Sequence, residues 1–416
     1  MSNAILEARE QRNWYIVTLA KKSQLITVKA NVPGGDKRVK ESFLLVRYFV
    51  NRLTDQLSNE VLLLDNADGM CAILPASGEN IKLKTTELED TTPIGRFADL
   101  DVYLKGAKHS LSRGHMRKCY LCDNDAFVCA KLGTHTTQQL LVAFKEGVRN
   151  YFSQLICSVI KESLQTELNL EDKFGLVTPT SNGSHGDLNY EIMTISQEVI
   201  APYLTQMFWV GFDSEDVDNL LDKLRPIGIE AENAMYKAVA TNTYKGFIFV
   251  AGVLLASFGH LLSTGGGKYL EIFDIVERIC KGVTDELYGE GSTFGIEAYR
   301  LYGFTGVRGH AEQGFYAVRK AEKIVDAGYS PKSLLKALTY IVGDIEDTVL
   351  LKRSGSLQKY TYYKNAISSI DVDDKSQLKL LNAECIKNGI SIGGSADVLA
   401  SAVMLKKLRQ LWYLEK

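Results

Sequence analysis

Residues 93–135 read PIGRFADLDVYLKGAKHSLSRGHMRKCYLCDNDAFVCAKLGTH, and this stretch decides how the rest of the chain is interpreted. Its segment FADLDVYL alternates apolar and polar residues, as a half-buried β-strand does, and it carries Asp99 and Asp101. Side chains two positions apart in a strand project from one face, about 7 Å apart along the backbone. The stretch therefore predicts a strand that presents two carboxylates on one face.

The carboxylate pair indicates a magnesium site for phosphate chemistry. Magnesium binds one or two carboxylates and completes its octahedron with water and substrate phosphates. Downstream of the strand, Arg113 and Arg117 would hold a phosphate group through bidentate hydrogen bonds. The pattern favours attack on a phosphorus atom with loss of phosphate or pyrophosphate. The alternative is an edge strand whose acidic face is simply solvated.

The end of the stretch contains a Cys/His cluster with the spacing C-x2-C-x6-C-x5-H, formed by Cys119, Cys122, Cys129 and His135. Three thiolates and one imidazole make the closed tetrahedral ligand set that structural zinc prefers, and the first two cysteines have the usual short spacing. We therefore predict a structural zinc site without an open position for water. The alternative is three unrelated buried cysteines and a surface histidine.

Composition limits the class of protein. The chain has 416 residues, of which 45% are hydrophobic, so it can form more than one domain. Its net charge of −2 provides no basic field for nucleic acid. Seven cysteines, an odd number, and an N-terminus without an apolar segment predict a cytoplasmic protein with reduced thiols. The longest apolar run, Phe247 to Phe258, is too short to span a bilayer, so it predicts a buried helix and no membrane partner.

Residues 1–150 predict a mixed α+β domain. Extended segments are expected at residues 14–32 and 81–89, and a hairpin is expected around the turn at 65–69. Between them, residues 37–57 have apolar side chains at helical spacing and predict an amphipathic helix. Neighbouring strands with one or two helices are typical of an α+β domain.

Residues 151–416 predict an all-α domain, because strand-like alternation is scarce there and long amphipathic segments dominate. Residues 136–168 lead into this half with an uninterrupted helical pattern. Ser214 is expected to cap a helix that stops before Pro226, and Ser395 is expected to precede the last helix.

Four polar clusters interrupt the helical pattern of this half, at residues 181–187, 242–246, 291–312 and 393–397. Glycine beside serine or threonine at a helix start exposes amide N–H groups to an anion, and Lys245 and Arg308 add positive charge. The residues that can supply a general base or metal ligands are His185, Asp187, Glu232, Asp344, Glu346 and Asp347. Together the clusters fit a phosphorylated substrate bound with magnesium. Taken singly, each is explained as well by helix capping.

The first half resembles the apo-citrate lyase phosphoribosyl-dephospho-CoA transferases, or holo-citrate lyase synthases. The matching segments are Glu87-Leu88-Glu89, Pro93-Ile94-Gly95-Arg96, Asp99-Leu100-Asp101-Val102, Leu111-Ser112-Arg113, and Arg117 to Cys122 with Cys129 and His135. The resemblance is specific, because the acidic pair and the Cys/His run occur together and in order. It implies a nucleotidyltransferase-like domain in which Asp99 and Asp101 act with magnesium. The substrate contacts that it implies are Gly95, Arg96, Arg113 and Arg117.

The second half resembles the triphosphoribosyl-dephospho-CoA synthases. The matching segments are Gly175-Leu176-Val177, Asn182 to His185 with Asp187, Glu232, Asn242-Thr243 with Lys245-Gly246, Gly306 with Arg308-Gly309, Gly314-Phe315, Asp347-Thr348 and Gly393 to Asp397. The chain departs from the family pattern at Tyr244, where His is usual, and at His310, where Glu is usual. The resemblance implies catalytic roles for Asp187 and Glu232. The substrate contacts that it implies are Asn182, His185, Asn242, Lys245, Arg308, Gly309, Asp347, Gly394, Ser395 and Asp397.

Together, the two resemblances imply a bifunctional enzyme that makes and attaches the prosthetic group of citrate lyase. The second half would join ATP and 3′-dephospho-CoA with release of adenine. The first half would transfer the phosphoribosyl-dephospho-CoA to a serine of the acyl carrier (gamma) subunit with release of pyrophosphate. Magnesium and zinc are the implied metals. Two alternatives are a similar synthase that serves malonate decarboxylase and a non-catalytic, zinc-stabilised binding module.

Overall fold

A computed structural model describes residues 3–57, 60–122, 124–265, 267–289, 291 and 293–414. The chain divides into two compact units. The first unit contains residues 1–155 together with the short segments 262–268 and 409–416. The second unit contains residues 156–261 and 269–408.

The first unit is built on a four-stranded antiparallel sheet. Its elements are α1 (Asn3–Ala20), β1 (Gln24–Ala30), α2 (Lys40–Leu57), β2 (Leu62–Asn66), β3 (Gly69–Ala76), α3 (Ile81–Thr91), a 3-10 turn (Gly95–Phe97), β4 (Ala98–Tyr103), α4 (Ala126–Leu132) and the start of α5 (Thr137–Leu168). The strand order is β2-β3-β1-β4, which places β4 at an edge. The hairpin at 65–69, the helix at 37–57, the strand that carries Asp99 and the mixed α+β character of this half are confirmed.

One face of the sheet is polar at one end and apolar at the other. Lys29 of β1 pairs with Asp99 of β4, and Thr27 pairs with Asp101, so these four side chains lie together on one face of the sheet. We call the part of the face that these four residues form the polar face. Helix α1 covers the apolar end of the same face. The buried residues packed there are Ile16, Ala20, Leu25, Cys71 and Ile73. Since Leu25 and Lys29 lie at opposite ends of β1, the polar face is left beside the N-terminal half of α1.

The extended segment expected at residues 14–32 is correct only in its second part. β1 covers Gln24–Ala30, whereas residues 14–19 lie in α1. The helix begins in a segment rich in Ala, Leu, Glu, Gln and Arg, which favour helix. Its Ile16 and Ala20, four residues apart, are buried against the sheet. Packing of that helical face outweighs the β propensity of the aromatic and branched residues.

The strand expected at residues 81–89 is wrong, because Ile81–Thr91 form helix α3. Ile81, Thr85 and Glu89 are buried at four-residue spacing, which is the period of a helix face and not of a strand. The helix packs on β4. It places the Glu89 carboxylate where it accepts a hydrogen bond from the Leu100 N–H at 2.9 Å.

Helix α2 joins the separate segments of the first unit. Its residues 41–50 are all buried, and it packs against β1 and β3. Arg47 of α2 donates to the carbonyl of Gly265 at 2.9 Å and to that of Tyr413 at 2.8 Å. A buried guanidinium that donates to carbonyls from both short segments explains why these segments belong to this unit.

The second unit is all-α in the residues that the structure describes, as the sequence predicts. After the end of α5, its helices are α6 (Tyr190–Asp213), α7 (Leu220–Val239), α8 (Lys245–Ser263), α9 (Glu271–Ile279), a 3-10 turn (Val283–Tyr288), α10 (Phe294–Tyr302), α11 (Gly306–Glu312), α12 (Tyr316–Ile324), α13 (Pro331–Asp344), α14 (Thr348–Ser354), α15 (Leu357–Ser368), α16 (Lys375–Lys387) and α17 (Gly393–Arg409).

Two predicted boundaries of the helix after Ser214 are wrong. Ser214 ends α6 instead of beginning the next helix, because its hydroxyl donates to the Val210 carbonyl of the last turn at 2.7 Å. Helix α7 begins at Leu220 and continues through Pro226. Its buried stripe includes Ile227, directly after the proline, so burial of one helix face extends the helix past the residue expected to stop it.

Helix α8 contains the long apolar run of the chain. By length and composition it is apolar enough to cross a membrane, but 83% of its apolar window is buried inside the protein. Such burial is typical of a core helix, so the buried helix expected from the sequence is confirmed.

Candidate functional site

The two carboxylates of β4 lie on one face, as the alternation predicts. Asp99 and Asp101 are half-buried, whereas Leu100 and Val102 point to the other face and are buried. The side chain of Asp99 is 38% exposed, so a ligand that approaches this face can reach it. The strand thus presents an acidic pair at an accessible sheet edge.

The electrostatics of the pair favour a bound cation. Burial raises the pKa of the Asp101 carboxyl, the neighbouring Asp99 charge raises it further, and Lys82 opposes the shift. Two carboxylates held close on a partly buried face repel each other, and a hard divalent cation bound by both would relieve that repulsion. The donor set of two accessible carboxylates therefore fits magnesium.

Arg117 connects the carboxylate pair to Glu89, a buried acid for which the sequence predicted no role. Its guanidinium donates to Asp99 at 2.6 Å and to Glu89 at 3.0 Å. Arg113 lies 3.1 Å from the other Glu89 oxygen. Burial raises the pKa of the Glu89 carboxyl, while Arg117 and the Leu100 N–H oppose that shift. Glu89 thereby anchors both predicted arginines beside the acidic pair, and breaking such a buried pair typically costs about 3–5 kcal/mol.

Gly95 and Arg96 hold the entrance to β4. A Cβ atom on Gly95 would lie 1.9 Å from the Glu89 carbonyl oxygen, so only glycine allows α3 to approach this closely. Arg96 donates to the Cys119 carbonyl at 3.4 Å, which ties the strand to the Cys/His cluster. Both residues organise the site, and their contact with substrate stays a prediction.

The four residues of the Cys/His cluster come together. The sulfurs of Cys119, Cys122 and Cys129 and a ring nitrogen of His135 all lie within 4.8 Å of one another. The sulfurs of Cys122 and Cys129 are 3.3 Å apart, and His135 Nε2 is 3.4 Å from the Cys122 sulfur. Zinc–sulfur bonds of about 2.3 Å place tetrahedral sulfur ligands about 3.8 Å apart. The cluster fits zinc after a small adjustment, and all seven cysteines are free thiols, so no disulfide competes.

The second unit contains a polar cavity of about 730 Å³, a size that suits a nucleotide or a similar ligand. The charged and titratable residues that line it include Glu167, Lys173, His185, Asp187, Lys245, Lys352, Arg353 and Asp397. Asn242 lines it as well. The cavity therefore brings together five residues that the sequence assigned to the site: His185, Asp187, Asn242, Lys245 and Asp397.

His185 is a neutral imidazole that faces Arg353. Arg353 lies 3.0 Å from the Nδ1 atom, and because arginine has only donors, Nδ1 must accept and Nε2 must carry the proton. Nε2 in turn donates to the hydroxyl of Ser391 at 3.1 Å. Burial lowers the pKa of His185, and the charge of Arg353 lowers it further. The histidine thus orients Arg353 and does not itself add positive charge.

Asp187 and Asn182 lie on the loop between α5 and α6. Asp187 lines the polar cavity and accepts a hydrogen bond from the Thr241 hydroxyl at 2.9 Å. Asn182 is exposed and lies outside the described lining of that cavity. The loop packs closely at Gly175, where an added Cβ atom would lie 2.1 Å from the Ile390 carbonyl oxygen. Close packing therefore gives the loop that carries Asp187 a defined position.

A second cavity, of about 340 Å³, shares Lys245 and Gly246 with the first. Its apolar lining consists of Met207, Leu221, Leu224, Ile229, Ile248, Phe249, Val253, Val283 and Val307. Glu232 also lines it, and its carboxylate lies 2.7 Å from the Lys245 ammonium. The predicted pair of Glu232 and Lys245 therefore sits where the polar and the apolar cavity meet.

Arg308 also lines the second cavity, where its guanidinium lies 2.9 Å from Glu286. Arg225 pairs with the same carboxylate. Burial alone would raise the pKa of Glu286, but hydrogen bonds from Arg225 and Arg308 lower it. Gly309 is buried, and an added Cβ atom there would lie 2.0 Å from the Thr305 hydroxyl oxygen, so glycine is required for packing.

Asp347, Gly394 and Ser395 contact one another. One Asp347 oxygen accepts from the N–H groups of Val349 and Leu350 at 2.9 and 3.0 Å, and the other accepts from the N–H and hydroxyl of Ser395, both at 2.8 Å. A Cβ atom on Gly394 would lie 2.9 Å from this carboxylate. Ser395 therefore lies inside α17 and binds Asp347, so its expected place before the helix is wrong. The buried carboxylate joins the starts of α14 and α17.

Asp397 contacts the start of α8. It accepts a hydrogen bond from the Phe247 N–H, and its Oδ2 would lie 2.1 Å from a Cβ atom added to Gly246. Burial raises the pKa of Asp397 well above its usual value, and the charges of Asp347 and Glu167 raise it further. Any side chain at position 246 would displace this carboxyl from the cavity wall.

Of the two positions that depart from the family pattern, Tyr244 is buried and His310 is partly buried. Tyr244 lines the polar cavity, and its hydroxyl accepts a hydrogen bond from Gln197 at 3.0 Å. Burial raises the pKa of Tyr244 well above its usual value, so the phenol stays neutral. Burial lowers the pKa of His310, and the nearby acids Asp344 and Glu346 oppose that shift.

Four charged residues of the polar cavity were not predicted from the sequence: Glu167, Lys173, Lys352 and Arg353. Lys173 and Glu167 form a buried pair with 2.8 Å between the ammonium and a carboxylate oxygen. Lys352 and Arg353 belong to the last turn of α14, where basic residues ordinarily complement the helix dipole. Their closeness to the Asp347-Thr348 motif was the available signal.

Comparison with known proteins matches both halves of the chain. Residues 153–416 match the CitG family, described as ATP:dephospho-CoA triphosphoribosyl transferase. Residues 2–151 match the CitX family, described as apo-citrate lyase phosphoribosyl-dephospho-CoA transferase.

Individual relatives match in the same way. Protein CitXG of Haemophilus influenzae is 31% identical over 368 aligned positions, which cover 81% of this chain and 79% of the relative. Protein CitXG of Leuconostoc mesenteroides subsp. cremoris is 27% identical over 450 aligned positions, which cover 97% of this chain and 96% of the relative. The 2-(5''-triphosphoribosyl)-3'-dephosphocoenzyme-A synthase of Haemophilus ducreyi is 31% identical over 320 aligned positions, 69% of this chain and 99% of the relative. The chain is thus similar to fused relatives over most of their length.

Proposed function

From its membership of the CitXG family, we propose where in this chain each of two reactions takes place. The chain joins an apo-citrate lyase phosphoribosyl-dephospho-CoA transferase part to an ATP:dephospho-CoA triphosphoribosyl transferase part. It is a bifunctional transferase. It converts ATP and 3′-dephospho-CoA to 2′-(5″-triphosphoribosyl)-3′-dephospho-CoA and adenine. It then transfers the phosphoribosyl-dephospho-CoA group to a serine of the apo acyl carrier subunit of citrate lyase and releases pyrophosphate.

We assign the transfer reaction to residues 1–150 and the synthase reaction to residues 151–416, following the two family matches. Citrate lyase is favoured over malonate decarboxylase as the recipient, because the first part matches the apo-citrate lyase transferases. A non-catalytic binding module would leave the match of both parts to transferases unexplained.

The synthase reaction takes place in the polar cavity of the second unit. Both of its substrates carry phosphate groups, and Lys245, Lys352 and Arg353 line this cavity. Ammonium and guanidinium groups are common ligands of phosphate, so these side chains would bind the triphosphate of ATP. The mainly apolar second cavity, which shares Lys245, offers room for the less polar end of a substrate.

Asp187 acts as the general base in this step. The 2′-hydroxyl of 3′-dephospho-CoA attacks C1 of the ATP ribose, the bond from C1 to adenine breaks, and the hydroxyl proton must be removed. Asp187 lies at the cavity, held by the Thr241 hydroxyl, whereas Glu232 is engaged by the Lys245 ammonium. We therefore give Asp187 the role of base and Glu232 the role of holding Lys245.

The other predicted residues of this unit divide by their contacts. Direct substrate contact is proposed for residues that line a cavity: Asn242, Lys245, Arg308 and Asp397. Positioning roles are proposed for residues whose contacts are within the protein: Asn182, Gly309, Asp347, Gly394 and Ser395. A positioning role is also proposed for His185, which lines the polar cavity but accepts a hydrogen bond from Arg353 and thereby orients it.

The transfer reaction takes place at the polar face of the first unit, which would make this unit nucleotidyltransferase-like. The serine hydroxyl attacks the phosphorus nearest the ribose, and the bond from that phosphorus to pyrophosphate breaks. Asp99 and Asp101 would hold magnesium, which supplies positive charge for the phosphates. Arg117, fixed by Asp99 and Glu89, presents its remaining N–H groups to the same phosphates, and Arg113 supports it through Glu89.

The Cys/His cluster holds a structural zinc ion in this proposal. Four protein ligands leave no position for water, so zinc would fix the loop between Arg117 and α4 and take no part in the chemistry. Arg96, which donates to the Cys119 carbonyl, connects that loop to β4. Since the cluster needs reduced thiols, we place the protein in the cytoplasm.

Chromatography of free adenine tests the function. The purified chain is incubated with ATP, 3′-dephospho-CoA and magnesium, and the nucleotide product is examined by mass spectrometry. We expect adenine only when both substrates are present, together with a dephospho-CoA adduct heavier by a triphosphoribosyl group. Adenine formed from ATP alone, or no adenine from folded protein, would contradict the assignment.

A further inference from the structure

Three cations lie on the same side of the sheet as the carboxylate pair. Lys29, which pairs with Asp99 across β1 and β4, reaches an Asp68 oxygen at 2.5 Å. Arg9 of α1 reaches the other Asp68 oxygen at 2.9 Å, and Arg12 of α1 also pairs with Asp68. We call Arg9, Arg12 and Lys29 the cation cluster. It lies beside the polar face, and neither family motif includes it.

The cation cluster carries more positive charge than its own counter-ion neutralises. Three cations share the single Asp68 carboxylate. Burial alone would raise the pKa of Asp68, but hydrogen bonds from Lys29 and Arg9 lower it to about 2, so the carboxylate is charged at neutral pH. Lys37 brings further positive charge close to the cluster. Positive charge therefore predominates around Asp68.

The cations of the cluster lie between Asp68 and the solvent. Their side chains are 34% exposed for Arg9, 20% for Lys29 and 17% for Arg12, against 1% for Asp68. An anion that enters from solvent therefore meets the cations first. Arg12 contacts Asp68 through one nitrogen of its guanidinium, a group that has five N–H donors in a fixed fork.

We infer that the cation cluster is the subsite for the two terminal phosphates of the triphosphoribosyl group, the part that leaves as pyrophosphate. This inference rests on the transfer reaction proposed for the first unit. When the phosphate nearest the ribose lies beside Asp99, the next phosphates need positive charge along the same face, and Lys29 directly opposite Asp99 provides it. Asp68 keeps the cations in place when no phosphate is bound.

The cluster also explains how the leaving group departs. The bond from the serine oxygen to phosphorus forms with loss of the serine proton to water, and the phosphorus–oxygen bond to pyrophosphate breaks. Pyrophosphate takes the electron pair of that bond, so negative charge grows on its oxygens during the step. Preorganised guanidinium and ammonium groups stabilise such growing charge without reorientation.

Hydrogen exchange of the full chain, with tripolyphosphate as the probe and no magnesium added, tests this subsite. We expect tripolyphosphate to protect peptides from α1 (Asn3–Ala20) and from the turn around Asp68. The double variant Arg9→Met/Arg12→Met should raise the tripolyphosphate concentration needed for this protection at least about tenfold. This change corresponds to about 1.4 kcal/mol of binding free energy. Lys29→Met should weaken it as well while leaving both arginines on Asp68.

The matched control is Arg38→Met. Arg38 is a half-exposed arginine of the same unit that pairs with Asp65, outside the cation cluster. It should keep the protection of α1 unchanged. The polar cavity of the second unit is also expected to bind tripolyphosphate through Lys245, Lys352 and Arg353. Protection of peptides from this cavity should be the same in every variant, and it reports on the integrity of the protein.

The outcomes separate the subsite from the transfer reaction. Absence of α1 protection in the unaltered protein, or full protection in both the double variant and Lys29→Met, overturns the inference. Because no transfer occurs in the assay, protection of α1 in a protein that never modifies the acyl carrier would disprove the transfer assignment and leave the phosphate subsite intact. Transfer to the acyl carrier without protection of α1 would overturn the phosphate subsite and leave the transfer assignment intact.

Discussion

Replacing Asp187 by asparagine is expected to lower adenine release from ATP and 3′-dephospho-CoA by about 10²–10⁴-fold, the usual contribution of a general base. Asparagine has nearly the same shape and can still accept from the Thr241 hydroxyl, so the loop keeps its position. What is lost is the ability to take the proton from the attacking 2′-hydroxyl. The measurement is the initial rate of adenine formation at saturating substrates.

The matched control for this variant is Asp274→Asn. Asp274 is an exposed carboxylate on α9, away from the residues that line the polar cavity, so its neutralisation should leave the rate unchanged. A second comparison is Glu232→Gln, which we expect to raise the KM for ATP more than it lowers kcat, because it releases Lys245. If Asp187→Asn keeps more than a tenth of the rate, Asp187 is not the base.

Replacing Cys122 by serine is expected to remove bound zinc and to destabilise the first unit. Its sulfur lies close to both the Cys129 sulfur and the His135 ring, so its loss leaves an incomplete ligand set. Binding of structural zinc is worth about 10 kcal/mol or more in small zinc domains. A loss of about 3 kcal/mol already lowers the Tm of a unit of this size by about 6–12 °C. Elemental analysis and thermal unfolding measure the two effects.

The control for the zinc variant is Cys157→Ser, since Cys157 is a free cysteine outside the Cys/His cluster. It should keep about one zinc ion per chain and an unchanged Tm. Protein purified without chelators that contains no zinc would show that the cluster consists of buried thiols only.

The parts of the fold that could be predicted are those where neighbouring residues specify both the period of the apolar positions and which side chains are buried. β4 is such a case, because Leu100 and Val102 alternate with Asp99 and Asp101. The prediction of a strand at residues 81–89 failed because the spacing of Ile81 and Thr85 suits both the two-residue period of a strand and the turn of a helix. Packing of α3 on β4 favours the helix.

The cation cluster shows why part of the site could not be predicted from the sequence. Asp68 contacts Lys29, Arg12 and Arg9, which lie 39, 56 and 59 positions away in the chain. Nothing in the turn around Asp68 indicates these partners, since an acidic residue there also suits a hairpin turn. Local motifs predicted the acidic pair and the Cys/His cluster, whereas the cation cluster depends on how α1 packs.

We infer that two separate sites on one chain carry out the two consecutive reactions. The direct measurement uses Asp99→Asn and Asp187→Asn, each alone and both mixed, with ATP, 3′-dephospho-CoA, magnesium and the apo acyl carrier, while adenine and modified carrier are quantified. We predict that Asp99→Asn releases adenine without modifying the carrier, that Asp187→Asn does neither, and that the mixture restores carrier modification. Modified carrier from Asp99→Asn alone, or a mixture that stays inactive while each variant is folded, would contradict the account.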